Sequence, residues 1–162
     1  MILDGILKDF NVTLDEKGRQ TLNLVWHRLN PWPDVIEGLT RLQKKYTICT
    51  LSNGNLSLLA DMAKHSGIPW DLILSAEVFK AYKPHPDAYL GVASVFDVPA
   101  DNVMLVAAHH DDLQAARNCG LRTAYIERPA EFGVDVPKDV SPVAGNDFHC
   151  VDFIDLAGRL GC

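Results

Sequence analysis

The chain has 162 residues, of which 48% are hydrophobic and 22% are charged, and these values are ordinary for a single globular domain. Its formal net charge of −6, with no cluster of Lys and Arg, argues against a surface that binds nucleic acid. No apolar run approaches the roughly 18 residues that a membrane-spanning helix needs, and the first residues lack the pattern of a secretory signal peptide.

Helical and extended patterns alternate along the chain. Asp34, followed three residues later by Glu37, predicts a helix that begins with a capping box. Apolar periodicity predicts further helices at residues 2–10, 14–29, 55–66, 86–96, 111–119 and 151–160. Short apolar runs predict strands at 46–51, 72–74, 103–107 and 122–126, and a loop rich in Pro, Gly and Asp covers 129–147.

This alternation predicts an α/β fold in which a parallel sheet carries helices on both faces. Ligands of such folds bind at the carboxyl ends of the strands. Three polar segments fall on or near these ends, namely Leu51–Asn55, Tyr82–Pro86 and His109–Asp112. The sequence therefore predicts one site built from a hydroxyl, a lysine and a carboxylate.

Each segment also has a purely structural interpretation. Ser52 and Asn53 can donate hydrogen bonds to an anion beside the free N–H groups of the next helix, but Asn-Gly is also a common turn pair. Lys83, flanked by prolines, could neutralise clustered carboxylates or a substrate anion, or it could be a solvated surface lysine. Acidic residues such as Asp111 and Asp112 suit a helix N-terminus on electrostatic grounds alone.

Taken together and in this order, the segments resemble the haloacid dehalogenase superfamily, and within it the L-specific 2-haloacid dehalogenases. The likeness runs from about residue 31 to residue 160 and is carried by LSNGN at 51–55, YKPHPDAY at 82–89 and VMLVAAHHDDLQAARNCGLRTAYIERP at 103–129. It implies a Rossmann-like parallel sheet, a small anionic substrate and the hydrolysis of 2-haloalkanoic acids through an aspartyl ester.

The resemblance also implies roles for individual residues. Lys83 matches a lysine that orders the carboxylate of the nucleophile, and Asp112 matches an aspartate implicated in the hydrolytic step. Four further residues match positions that bind the substrate or line its site: Ser52, Asn53, Tyr89 and His109. Ser52 corresponds to the hydroxyl that contacts the substrate anion, whereas His109 stands where these dehalogenases often carry asparagine.

One departure bears on the choice between dehalogenase and phosphatase. Magnesium-dependent phosphatases of the superfamily carry a metal-binding aspartate at the position that corresponds to Ala108. An alanine side chain offers a hard cation no oxygen ligand, although Asp111 could compensate. We therefore expect no metal and no cofactor, and we keep a phosphatase of small phosphate esters as the alternative.

A second departure concerns the nucleophile. No segment fits the D-x-D/Y/F-G-T pattern with which the superfamily ends its first strand. Asp4 followed by Gly5 matches only superficially, because two apolar residues between Met1 and Asp4 are too few for a buried strand. Residues 1–30 instead resemble the last helices of a cap domain, and residues 31–162 resemble the α/β core without its first, central strand.

This arrangement predicts a chain that is incomplete for catalysis, and it leaves a non-catalytic fragment that binds an anion or a partner as a third interpretation. Without the central strand, the edges of 46–51 and 103–107 lose their hydrogen-bond partners. These two strands would either pair with each other, accept a strand of another chain, or leave the fragment unstable alone.

The remaining expectations concern location and partners. The four cysteines form no C-x-x-C pair, which is typical of reduced thiols in a cytoplasmic protein. We expect a small anionic substrate, no nucleic acid and no membrane as partners, and a homodimer as the assembly.

Overall fold

The computed structural model describes residues 2–162. The helices are α1 (Ile2–Asp9), α2 (Glu16–Asn23), α3 (Val35–Gln43), α4 (Leu56–Ser66), α5 (Ala76–Phe79), α6 (Pro86–Val95), α7 (His110–Asn118) and α8 (Phe153–Arg159). The strands are β1 (Met104–Ala107), β2 (Arg122–Ile126) and β3 (Phe148–Cys150). Short 3-10 helices cover Leu24–Arg28 and Ala100–Asn102.

The three strands form one parallel sheet in the order β1-β2-β3. In the register of this sheet, Met104 lies opposite Arg122, and Ala124 lies opposite Phe148. β2 is therefore the central strand, and its last four residues are buried. The parallel connections through helices confirm the predicted α/β class.

Helices cover both faces of this sheet, as predicted. Successive side chains of a strand point to opposite faces, and Ala124 and Tyr125 of β2 accordingly enter two different hydrophobic cores. The first core joins α3, α8, β2 and β3, with Leu39 and Leu156 among its buried residues. The second joins α6, α7, β1 and β2, with Leu113 among its buried residues.

The predicted strands 46–51 and 72–74 are not part of this sheet. They meet only through two isolated parallel bridges, Cys49 with Leu72 and Ser52 with Ser75. Part of the reason is that the Thr50 hydroxyl accepts a hydrogen bond from Leu74 N (3.0 Å) and donates one to Leu74 O (2.7 Å). A side chain thus replaces backbone pairing in the middle of this segment, and the prediction of two full strands is wrong.

Within the described residues, no backbone pairing joins residues 48–52 to β1. Residues 48–52 contact the three-stranded sheet through side chains instead. Ile48 packs against the first core and Leu51 against the second. Of the three outcomes expected for the open edges, direct pairing is therefore not the one that the structure adopts.

Several helix predictions need correction. The predicted helix 14–29 divides into α2 and a 3-10 segment, and neither β3 nor α5 was predicted. The capping box at Asp34 is wrong, because its carboxylate does not cap α3. Asp34 Oδ2 instead accepts hydrogen bonds from Arg128 Nη2 (2.7 Å) and from Phe153 N (2.9 Å).

The helix ends predicted from glycine are confirmed. α4 ends at Gly67, which has a φ of 67°, and Gly120 follows α7 with a φ of 83°. Glycine enters this left-handed region without the steric penalty that a Cβ imposes. None of the helices within residues 2–162 is both long and apolar enough to span a bilayer.

Candidate active site

Asp112 is the centre of a polar cluster at the carboxyl end of β1. Lys83 Nζ lies 2.5 Å from Asp112 Oδ2, and the Tyr89 hydroxyl donates to Asp112 Oδ1 at 2.7 Å. The side chains of Lys83 and Asp112 are 19% and 17% exposed, so the ion pair is partly shielded from water. The structure thus brings together three residues that the sequence assigned to one site.

Local structure explains how these side chains converge. Asp112 lies in the first turn of α7, directly after β1, and Lys83 lies just before α6. Tyr89 is fully buried in α6. Burial, reinforced by the hydrogen bond to Asp112, raises the pKa of Tyr89, so the phenol stays protonated and donates to the carboxylate.

Asn53 holds the segment that carries Lys83. Its Nδ2 donates to Lys83 O (3.0 Å), and its Oδ1 accepts from Lys83 N (2.7 Å). Both ends of the amide are therefore engaged with one backbone position, and a substrate contact of Asn53 stays a prediction. Ser52 Oγ accepts from Gly54 N at 2.9 Å, which leaves its hydroxyl proton available for a further acceptor.

The start of α4 is less open to an anion than the sequence suggested. Leu56 N donates to Glu77 Oε2 (2.6 Å), and Leu58 N donates to Asn55 Oδ1 (2.9 Å). These two N–H groups are already capped, so the expectation that they are free is wrong. Glu77 was missed because it lies in the short helix α5, which carries no periodic signal.

His109 lies at the N-cap position of α7, directly after Ala108, where the chain bends between β1 and α7 (the Ala108 turn). Its Nε2 is 2.7 Å from Glu131 Oε1, and its side chain is 58% exposed. Glu131 comes from the loop after β2, which the sequence presented only as an irregular segment. Nothing in the local pattern of that loop points to Glu131, because the contact joins residues 22 positions apart.

Asp4, the superficial match to the nucleophile, lies in α1 and forms an ion pair with Arg19 of α2. It is therefore placed on a helix and not at the end of a strand. Among residues 2–162, no group of three or more His, Cys, Asp or Glu side chains is arranged to hold a metal ion.

The cluster can stabilise a negative charge and can accept one proton. Lys83 places an ammonium beside the site, and both oxygens of the Asp112 side chain accept from donors that orient them. A carboxylate held in this way can accept a proton from water. Its two hydrogen bonds make Asp112 less suited to attack carbon itself.

Comparison with known proteins places these residues in a wider context. The model of the haloacid dehalogenase-like hydrolases matches residues 4–120. Among curated proteins, an (S)-2-haloacid dehalogenase of Xanthobacter autotrophicus is 31% identical over 117 residues, which are 70% of this chain and 46% of that protein. Haloacetate dehalogenase H-2 of Moraxella sp. (strain B) is 29% identical over 70% of this chain and 52% of its own length. The chain spans about half the length of these curated relatives.

Two solved structures have a higher sequence identity to this chain than these curated relatives. The crystal structure of an L-2-haloacid dehalogenase superposes with a TM-score of 0.92 at 43% identity, covering 98% of this chain and 68% of the other. That of a defluorinating L-2-haloacid dehalogenase superposes with a TM-score of 0.93 at 44% identity, covering 99% and 66%. The likeness extends over nearly the whole chain and includes the residues of the Asp112 cluster.

Proposed function

The chain belongs to the haloacid dehalogenase-like hydrolases, and from that premise we propose that it takes part in the hydrolytic dehalogenation of small 2-haloalkanoic acids. The observation that carries this proposal is the Lys83–Asp112–Tyr89 cluster, which combines a fixed cation with an oriented carboxylate. The identity of 43% to an L-2-haloacid dehalogenase supports the same choice of substrate class.

In the proposed reaction, a nucleophilic carboxylate attacks C2 of the substrate. The new C–O bond forms as the C–halogen bond breaks, and the halide leaves with the bonding electrons, so the product is an ester of the enzyme with inverted C2. Water then attacks the ester carbonyl carbon while Asp112 accepts a proton from it; the bond between that carbonyl carbon and the ester oxygen breaks, the carboxylate of the nucleophile is restored, and the 2-hydroxyalkanoate leaves with the proton returned from Asp112. Lys83 stabilises the carboxylate of the nucleophile, and the Ser52 hydroxyl donates a hydrogen bond to the substrate carboxylate.

The proposal requires a nucleophile that these residues do not place in the site. We propose that it lies on a strand that would pair with β1 on one side and with residues 48–52 on the other. Residues 1–30 would then be the end of a helical cap, and residues 31–162 the α/β core around that strand. The absence of pairing between residues 48–52 and β1 supports this division.

A chimera tests the proposal. The N-terminal segment of the 43% identical dehalogenase, which would supply the strand, is fused before Met1, and halide release from (S)-2-chloropropionate is measured. We expect release by the chimera, its loss on Asp112→Asn, and none above background from the chain alone. Release by the chain alone that disappears in Asp4→Asn would contradict the need for an added strand.

The same chimera distinguishes the phosphatase alternative. A phosphoglycolate phosphatase of Nitrosococcus oceani is 25% identical over 118 residues, so this alternative has a relative of its own. Ala108 argues against it, because this side chain offers no oxygen to a divalent cation. Magnesium-dependent hydrolysis of an aryl phosphate without halide release would favour the phosphatase.

We also propose a homodimer in the cytoplasm. The first part of the chain exposes large apolar side chains, with Ile2, Phe10 and Trp26 at 86%, 76% and 62% exposure, and such surfaces mark sites of association. The four cysteines are free, as expected in a reducing compartment. Sedimentation that gives the monomer mass at all concentrations would contradict the dimer.

A further inference from the structure

The loop that follows β2 returns to the carboxyl end of β1, and Glu131 makes the connection. Its Oε1 lies 2.7 Å from His109 Nε2, and its Oε2 accepts from Lys138 Nζ at 2.5 Å. One carboxylate therefore bridges two basic side chains, with a separate oxygen for each. The side chains of Glu131 and Lys138 are only 25% and 14% exposed, so the bridge is partly shielded from water.

Lys138 fixes this bridge to the strand end. Besides Glu131, its Nζ donates to the carbonyl oxygen of Ala108 at 2.5 Å. Ala108 directly precedes His109, so the ammonium holds the backbone turn while the carboxylate holds the side chain that follows it. Although burial disfavours the ionised form, the bonds from Lys138 and His109 lower the pKa of Glu131, which keeps it an anion.

This geometry determines how His109 can act. With Nε2 directed at Glu131, Nδ1 is the ring nitrogen left for a ligand, and the ring is exposed enough to reach one. An anion is bound at Nδ1 only when that nitrogen carries a hydrogen, so a carboxylate ligand would bind there together with a proton while Nε2–H stays on Glu131. Lys138 shares the Glu131 carboxylate with His109, and Asp111 and Asp112 follow His109 in the first turn of α7.

From this geometry we propose that Glu131 is a positioning residue, which orients His109 so that its Nδ1–H binds the carboxylate of the substrate. The inference rests on the proposed function, because it assigns the contact that recognises the anionic end of a 2-haloalkanoic acid. Lys138 supports Glu131 and the Ala108 turn and does not itself contact the ligand.

Propionate tests this role, since it carries the carboxylate of the substrate but has no leaving group, so binding is measured without a nucleophile. Propionate is titrated into the full chain, and the heat of binding is measured by calorimetry. We expect Glu131→Gln to weaken propionate binding about tenfold, the effect of losing one charge-assisted hydrogen bond. We expect a similar loss for His109→Asn and no further loss when both changes are combined, because Glu131 acts through His109.

The Glu127–His149 pair provides a matched control. It has the same chemistry, with His149 Nε2 at 2.8 Å from Glu127 Oε1, but the other ring nitrogen of His149 is buried. Glu127→Gln should therefore leave propionate binding unchanged. Additive losses for Glu131→Gln and His109→Asn, or an effect of Glu127→Gln as large as that of Glu131→Gln, would overturn the positioning role.

The design separates this inference from the proposed function. If the unaltered chain binds propionate and Ser52→Ala weakens that binding while Glu131→Gln does not, only the role of Glu131 fails. If the unaltered chain does not bind propionate at all, the proposed anion site fails and the role of Glu131 fails with it. A nitrogen-15 spectrum of His109 gives an independent readout, since propionate should shift the Nδ1 signal in the unaltered chain and leave it unchanged in Glu131→Gln.

Discussion

At the scale of single residues, the site depends on how the charge of Asp112 is balanced. Lys83 neutralises it and Tyr89 adds a second donor, while water reaches the pair only partly. A carboxylate that loses its cation in such surroundings keeps the desolvation cost without the attraction that offset it. The pair should therefore matter for stability as well as for chemistry.

We predict that Lys83→Met lowers the free energy of unfolding by about 1–3 kcal/mol at pH 7, since it leaves the Asp112 carboxylate with the Tyr89 hydroxyl alone. Urea denaturation followed by circular dichroism measures the change. Lys64→Met on the exposed side of α4 is the control and should change the free energy by no more than about 0.5 kcal/mol. Equal effects of the two substitutions would show that the Lys83–Asp112 pair contributes nothing measurable.

The residues of the three motifs could be predicted from the sequence, whereas the residues that contact them from distant parts of the chain could not. Lys83, Tyr89 and Asp112 stand in segments whose order and spacing resemble a known family, and the structure brings them together. Glu77 and Glu131 act through contacts between distant parts of the chain, and neither lies in a periodic segment. Their roles depend on how a loop and a one-turn helix fold back, which local patterns do not encode.

At the scale of elements, α3 and α8 approach each other closely at Gly38. A Cβ at this position would lie 2.5 Å from Phe153 Cβ and 2.7 Å from the backbone carbon of the same residue. Neither atom can move without shifting α8, so even one added methyl group would force the helices apart.

We predict that Gly38→Ala lowers the free energy of unfolding by about 1–3 kcal/mol, even though alanine favours the helix more than glycine does. Thermal or urea denaturation measures it. The matched control is Gly158→Ala in α8, where the nearest atom to an added Cβ is Arg41 Nη2 at 3.9 Å. The control should be neutral or stabilising, and a neutral Gly38→Ala would contradict the close approach of the two helices.

Asp34 links three elements and makes stability depend on pH. Burial favours its protonated form, but hydrogen bonds from Phe153 N and Arg128 outweigh this and lower the pKa of Asp34. Because the folded pKa lies below the unfolded value of about 4, the ionised group stabilises the fold above that value. This contribution is lost as the pH falls through the folded pKa.

We predict that Asp34→Asn flattens the loss of stability below about pH 4 and lowers the free energy of unfolding by about 1–3 kcal/mol at pH 7. Urea midpoints at several pH values between 7 and 3 measure both effects. Arg128→Met should flatten the profile too, because it removes one of the interactions that lower the pKa. A slope unchanged in both variants would contradict the assignment.

The elements also show where pattern-based prediction stops. β1 is an apolar run that is partly to fully buried, the last four residues of β2 are buried, and both strands were predicted within one residue. Residues 46–51 are also rich in apolar and β-branched residues. The N–H of Thr50 pairs with the backbone of Leu72, yet at Leu74 the Thr50 hydroxyl stands where a strand would use its backbone. Whether an extended segment forms a ladder depends on the partner beside it, and no partner is visible in a single segment.

At the scale of the whole molecule, the fold combines the sheet β1-β2-β3 with the extended segment 48–52, which packs into the same hydrophobic cores without joining the sheet. Ile48 and Leu51 pack into the cores on either side of β1, and Asn53, which follows them, holds the backbone of Lys83, whose ammonium pairs with Asp112 of α7. The edge of β1 that does not pair with β2 is the edge beside which the proposed nucleophile would have to lie.

This arrangement predicts a pattern of amide hydrogen exchange along β1. In a parallel pair, only alternate residues of a strand donate to a given neighbour, and Arg122 N donates to Val103 O (2.9 Å). With Met104 opposite Arg122, the N–H groups of Leu105 and Ala107 point toward β2, while those of Met104 and Val106 point to the other edge.

We therefore predict that Leu105 and Ala107 exchange at least about tenfold more slowly than Met104 and Val106, because only the former pair belongs to the ladder. Nitrogen-15 correlation spectra recorded after transfer into deuterium oxide measure the four rates. In the chimera that supplies a strand, the Val106 amide should become as protected as that of Leu105, since it would gain a backbone acceptor. Equal protection of all four amides in the chain alone would show that the edge of β1 is already covered and that no added strand is needed there.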